Sequence, residues 1–179
     1  MKKKTKRIII LSILAAALVL FGLSVGLNGV ATANAQAEHH RLLETLMPGS
    51  SAFVVEPYTG EDANIVSVHK GDTGYVIETN TYGYAGPISM LIGVHSDGYV
   101  TGLQVRSMEE TFGLGAEALT DWEFLAQFLK GEGDAEIGTN VDAISGATVT
   151  SKAIARSVNS AVSYVTGTDV DSGATSWGG

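Results

Sequence analysis

Cysteine is missing from all 179 positions, histidine occurs four times, and 11 cations stand against 19 acids. Without a thiol there is no disulfide framework, no thiolate-bound zinc, no iron–sulfur cluster held in the usual way, and no thiol nucleophile. Four histidines are too few for a His-rich site, so no bound metal is expected. A formal charge of −8 argues against nucleic acid as a partner, because phosphate binding needs clustered lysine and arginine. The length allows one ordinary domain with a small appendage.

Charge is also absent from one long stretch, Ile8 to Val30, which is rich in Ile, Leu and Val. At ~1.5 Å per residue such a helix reaches about 34 Å, enough for a hydrocarbon core of roughly 30 Å. Lys2, Lys3, Lys4, Lys6 and Arg7 flank its N-terminal side, so a single transmembrane helix over 8–30 is expected. The basic flank 1–7 then lies in the cytoplasm and the remainder outside. A cleavable signal peptide is the competing reading, with small-x-small triplets in Ala31-Thr32-Ala33 and Ala35-Gln36-Ala37. The apolar run is longer than the ~7–15 residues usual for such a peptide. Gly22 and Gly26 form a small-xxx-small pair that suits a helix partner, or simply ordinary membrane-helix composition. All acids follow Val30 and five cations precede Ile8, so the outer portion carries −13. So acidic a surface is repelled by anionic headgroups.

Residues 31–50 read as a juxtamembrane helix and connector, stopped at Met47-Pro48-Gly49. His39 and His40 are adjacent, so they point to different faces and read as solvated. Strands are expected at Ala52–Glu56, Ile65–His69, Gly74–Thr79, Ile88–His95 and Tyr99–Val105, with a hairpin turn at Asp97-Gly98. His69 and His95 end strands and read as structural. A helix is expected over Asp121–Leu129, with Trp122 and Phe128 in the core rather than stacking on a ligand. The last helix is expected from Thr150 to Val165, burying Ile154, Val158, Ala161, Val162 and Val165. The fold class is α+β, a mainly antiparallel sheet with covering helices over 51–166, followed by a Gly-rich tail at 167–179.

Before the last helix stands Asp142-Ala143-Ile144-Ser145-Gly146-Ala147-Thr148-Val149-Thr150-Ser151. Ser145, Thr148, Thr150 and Ser151 are good caps, and Gly146-Ala147 leaves the backbone uncovered. A helix start offers unpaired N–H groups and a positive dipole end. The segment reads equally well as a capped helix or as a phosphate cradle.

Asp142-x-x-Ser145-Gly146-Ala147-Thr148 resembles the flavinylation signature of the bacterial FMN-binding domain. That domain occurs in the G-type subunit of the Rnf electron-transport complex and in the C-type subunit of the sodium-translocating NADH:quinone reductase. The resemblance implies covalent FMN, joined by a flavin transferase through its phosphate to Thr148. It also implies contacts from Ser145, Gly146, Ala147, Val149 and Thr150. Asp142 reads as a turn or cap residue, or as part of what the transferase recognises. Upstream, Glu110-Thr111-Phe112-Gly113-Leu114-Gly115 is similar to a loop of the Rnf G-type subunit, with Phe112 where proline is usual. In the family this loop lies against the flavin, which makes Thr111, Gly113, Leu114 and Gly115 candidate contacts. Tyr84-Ala85-Gly86-Pro87-Ile88 also fits that family.

Two decoys remain. Gly113-x-Gly115-x-x-Ala118 loosely matches a dinucleotide fingerprint, but no βαβ unit surrounds it. Asp169-Val170-Asp171-Ser172-Gly173-Ala174-Thr175 repeats the signature, yet only four residues follow, too few for a helix to hold a phosphate. Thr175 is therefore the alternative flavinylation site.

The resemblance implies a membrane-anchored subunit that relays electrons through FMN, with no complete activity alone. The complex would pass electrons between reduced ferredoxin and NAD and export sodium ions or protons. Its partners would be the other membrane subunits, with the flavin transferase needed for maturation. Acids such as Glu109 and Glu110 would lower the flavin potential, or would only serve solubility. Rival readings are the C-type subunit of the quinone reductase, a stand-alone extracytoplasmic flavoprotein, and a non-redox assembly or sensor module whose Ser-Gly-Ala-Thr segment merely caps a helix.

Overall fold

A computed structural model describes residues 33–108, 120–129, 131 and 134–168. The apolar stretch 8–30, the loop 109–115 and the tail repeat 169–175 lie outside the described residues. Among the described residues no helix is long and apolar enough to cross a membrane.

Two compact units make up the chain, Met1–Arg41 and Leu42–Gly179. Residues 33–46 are helical (α1), so the first unit is helical over its described part and the second begins in helix. Pro48 and the positive φ of Gly49 (+94°) follow and end the helix.

Five strands follow in a meander, each antiparallel to the next: β1 (Val54–Glu56), β2 (Ile65–Lys70), β3 (Gly74–Tyr82), β4 (Pro87–His95) and β5 (Val100–Met108). Expected strand positions hold, but β1 is shorter and β3 and β5 run three residues longer at their C-terminal ends. The β4–β5 connection is the expected tight turn. His95 N–H donates to Tyr99 O (2.9 Å), Gly98 N–H to His95 O (2.8 Å), and Gly98 takes φ +94°. His69 and His95 have protein partners, Ser67 Oγ (3.2 Å) and Asp97 Oδ2 (3.3 Å).

β4 is buried on both faces, which explains its apolar run without alternation. Ile88, Met90, Ile92 and Val94 join Val68 and Ile77 in the larger core. Leu91 joins Val76 in a smaller cluster under Leu43, Leu46 and Met47, at the end of α1.

Two helices cover the larger core. The five-residue α2 (Trp122–Ala126) is capped by Asp121, whose Oδ1 accepts from Glu123 N–H (2.9 Å) and Phe124 N–H (3.1 Å). Its orientation corrects the expectation from spacing. Trp122 is 71% exposed, whereas Phe124 and Phe128 are buried, edge to face at 5.3 Å. The 19-residue α3 (Thr148–Thr166) buries Ile154, Val158, Ala161 and Val162 against the sheet, and Val165 packs partly against the same core. Ile154, Val158 and Val162 each contribute about 1.5–3 kcal/mol when fully buried. α3 starts at Thr148, two residues before the expected Thr150.

Candidate functional site

The signature segment leads into α3 as a shaped turn. Ala147 N–H donates to Ile144 O (2.9 Å), and Gly146 at the third position has φ +80°. That left-handed backbone is open to glycine and strained for other residues, which accounts for Gly146 in chemical terms.

Capping differs from the expectation of a serine or threonine. Ala147 is the N-cap and offers no side-chain bond. Ser151 reaches back from the first turn instead, its Oγ accepting from Ile144 N–H (3.3 Å) and donating to Ala147 O (3.0 Å). One buried hydroxyl thus ties the turn to the helix that follows it.

The start of the segment is held from a different element. Asp142 N–H donates to Gln127 Oε1 (2.8 Å), and Gln127 Nε2 donates to Asp142 O (3.4 Å). Upstream, Asn159 of α3 grips Ala135 in the same two-pronged way, at 2.9 and 3.1 Å. Asn140 accepts from Glu136 N–H (2.8 Å) and donates to Asp134 O (2.7 Å). Carboxamide side chains therefore stand in for a backbone ladder along this connection. Beside it lies a cleft of about 220 Å³, lined by Gln127, Phe128, Gly131, Ala135, Asn140, Val141 and Val158.

Exposure separates the hydroxyls. Ser145 and Thr148 are exposed, while Thr150 (1%) and Ser151 (0%) are buried. Gly146 and Asp142 are exposed as well, Val149 is half-buried and Ala147 is buried. Thr148 is the first residue of α3, where N–H groups lack intrahelical acceptors and the helix dipole favours an anion. No acidic residue occupies that first turn. Lys152, also exposed, stands four residues on and so shares the face of Thr148. An exposed hydroxyl, a positive helix end and a cation on one face suit a phosphate diester.

Among the residues expected at the site, Asp142 and Ser145 to Thr150 share this turn and helix start. Thr111, Gly113, Leu114, Gly115 and Thr175 lie outside the described residues. Sequence reasoning overlooked Lys152, although its spacing from Thr148 was a legible signal. It also overlooked Gln127, for which the sequence offers none.

Residues 83–163 match the FMN-binding domain family. Over 147 residues the chain is 40% identical to the G-type subunit of an ion-translocating oxidoreductase complex of Methanosarcina acetivorans, covering 73% of this chain and 77% of that protein. The G-type subunit of the Na(+)-translocating ferredoxin:NAD(+) oxidoreductase complex of Acetobacterium woodii is 39% identical over 98 residues, 50% of this chain and 47% of that protein. Its counterpart in the proton-translocating ferredoxin:NAD(+) oxidoreductase complex of Clostridium ljungdahlii is 39% identical over 99 residues. That match covers 51% of this chain and 53% of the relative, so the chain spans about half the length of these last two.

Proposed function

The chain belongs to the G-type subunit family of ion-translocating oxidoreductase complexes, and from that membership we propose that it carries its FMN covalently, on Thr148. The observation that supports this residue is its exposure at the first position of α3, beside the buried Thr150 and Ser151.

Making the linkage needs an activated flavin phosphate, such as the anhydride of a flavin dinucleotide. Thr148 Oγ1 forms the new bond to phosphorus, the anhydride bond breaks, and a nucleoside monophosphate leaves. The hydroxyl proton passes to a base of the flavin transferase or to water. One negative charge stays on the diester, where the α3 N-terminus and Lys152 favour it. The bound flavin supplies electron relay, and the chain's own residues fix its place. Thr111, Gly113, Leu114 and Gly115 complete the flavin surroundings in this reading.

The flavin domain spans 51–166 and follows a juxtamembrane connector at 31–50. Residues 8–30 cross the membrane once, with 1–7 in the cytoplasm and the flavin outside. The partners are the other subunits of a complex that couples electron flow between ferredoxin and NAD to export of sodium ions or protons. Matching the FMN-binding domain favours this reading over a capped helix in a non-redox module.

Co-expression of the full chain with a flavin transferase, followed by in-gel flavin fluorescence under denaturing conditions, tests the linkage. Wild type is expected to fluoresce and Thr148→Ala to be dark. A fluorescent Thr148→Ala band overturns the assignment.

A further inference from the structure

We infer that Gln127 is a positioning residue for the modification of Thr148, holding the backbone of Asp142 so that the signature segment is presented in a fixed shape. The inference rests on Thr148 as the flavinylated residue.

Gln127 is itself well placed to act as a fixed post. It is the C-cap of α2, and the buried, mutually packed rings of Phe124 and Phe128 fix the backbone on either side of it. From there its carboxamide meets both backbone groups of one residue, Asp142, through bonds of 2.8 and 3.4 Å. The shorter bond is the one in which Gln127 accepts. Downstream of that clamp, Ile144 is tied at N–H to Ser151 and at C=O to Ala147, and Thr148 follows at once. Between the clamp and the target hydroxyl only short, tethered chain remains, so a loose Asp142 would free the first half of the signature. Gln127 is exposed. Its bonds bury little surface, and their loss is felt in loop geometry rather than in the core. Preorganising a reacting group removes an ordering cost from the reaction that uses it.

The test compares full-length wild type, Gln127→Leu, Gln127→Glu and Thr148→Ala, each co-expressed with a flavin transferase. Readouts are the rate of flavin attachment, the thermal midpoint, and hydrogen exchange at the Asp142 amide in unmodified protein. Glutamate keeps an acceptor for the shorter bond and leucine keeps only the approximate volume. Gln127→Leu loses both bonds to Asp142 and is expected to slow attachment and speed Asp142 exchange by about tenfold each, the combined worth of two exposed hydrogen bonds. Gln127→Glu keeps the shorter bond but loses the donor to Asp142 O and stands four residues from Glu123, so it is expected to fall between wild type and Gln127→Leu in both, with midpoints close to wild type throughout. Wild-type attachment in Gln127→Leu overturns the inference, as does equal slowing in a folded Gln127→Glu. Flavin on Thr148→Ala instead sinks the Thr148 reading, and Asp142 exchange then still shows whether the clamp exists.

Discussion

The carbonyl oxygen of Leu46 stands over Gly93 so closely that a Cβ added there would lie 2.1 Å from it. Gly93 pairs with Gly102 on β5, and the two glycines form a flat place on the sheet for the end of α1. Thr101 Oγ1 donates to Leu46 O at the same point (2.5 Å). Gly93→Ala forces backbone apart and is expected to cost about 1–3 kcal/mol. A Cβ at Gly102 would meet Leu46 Cδ2 at 3.1 Å and the Leu46 backbone only at 3.3 and 3.4 Å, so Gly102→Ala is expected to cost less. Chemical denaturation of the two variants checks the order.

Thr79 and Thr81 face the same core from β3 and are both buried. Thr81 Oγ1 donates to Ala153 O (3.1 Å) and bonds Ser157 Oγ (2.8 Å), whereas Thr79 Oγ1 has no partner among the described residues. Replacing each by valine therefore has opposite signs. Thr81→Val strands Ser157 and is expected to destabilise by about 1–3 kcal/mol, while Thr79→Val is neutral or stabilising by up to about 1 kcal/mol. Equal losses in thermal unfolding contradict this.

Phe124→Ala is expected to cost about 3–5 kcal/mol and Trp122→Ala less than about 0.5 kcal/mol. Denaturant midpoints distinguish them. The pair also marks where sequence reading stops. The strands were legible as short alternating or apolar runs between turn signals at Lys70-Gly71-Asp72 and Asp97-Gly98, and α3 was legible from the spacing of Ile154, Val158 and Ala161. Around α2 both faces of a five-residue helix are apolar, so spacing alone chose Trp122 where packing chose Phe124. At the site, the signature residues were legible by resemblance. The Gln127–Asp142 bonds join residues 15 apart through the path of the chain, which no local pattern encodes. The expected serine or threonine cap failed because Ser151 satisfies the turn from inside the helix.

Stability is expected to fall at alkaline pH through one cluster. Glu56 bonds Lys70 (3.4 Å) and accepts from Tyr164 Oη (3.4 Å), and Tyr164 packs edge to face on Tyr58 and Tyr75. Burial, then the Glu56 charge, raises the Tyr164 hydroxyl above its ordinary 10.0. Its hydrogen bond to Glu56, then the charge there, raises Lys70 above 10.5. Both groups hold their protons more tightly when folded, so their contribution is complete below about pH 10 and fades as pH rises through the folded values. Glu56→Gln is expected to make the alkaline decline shallower, measured as unfolding free energy between about pH 8 and pH 11. An unchanged slope contradicts the cluster's role.

Trypsin offers the most direct measurement of where the flavin sits. Cleavage after Lys130, Lys152 and Arg156 puts Thr148 in peptide 131–152 and Thr175 in peptide 157–179. Mass analysis of the digested, flavin-loaded full chain is expected to find the mass of FMN less water on peptide 131–152, with fragmentation placing it on Thr148. The same added mass on peptide 157–179 alone, or on neither, contradicts the central claim.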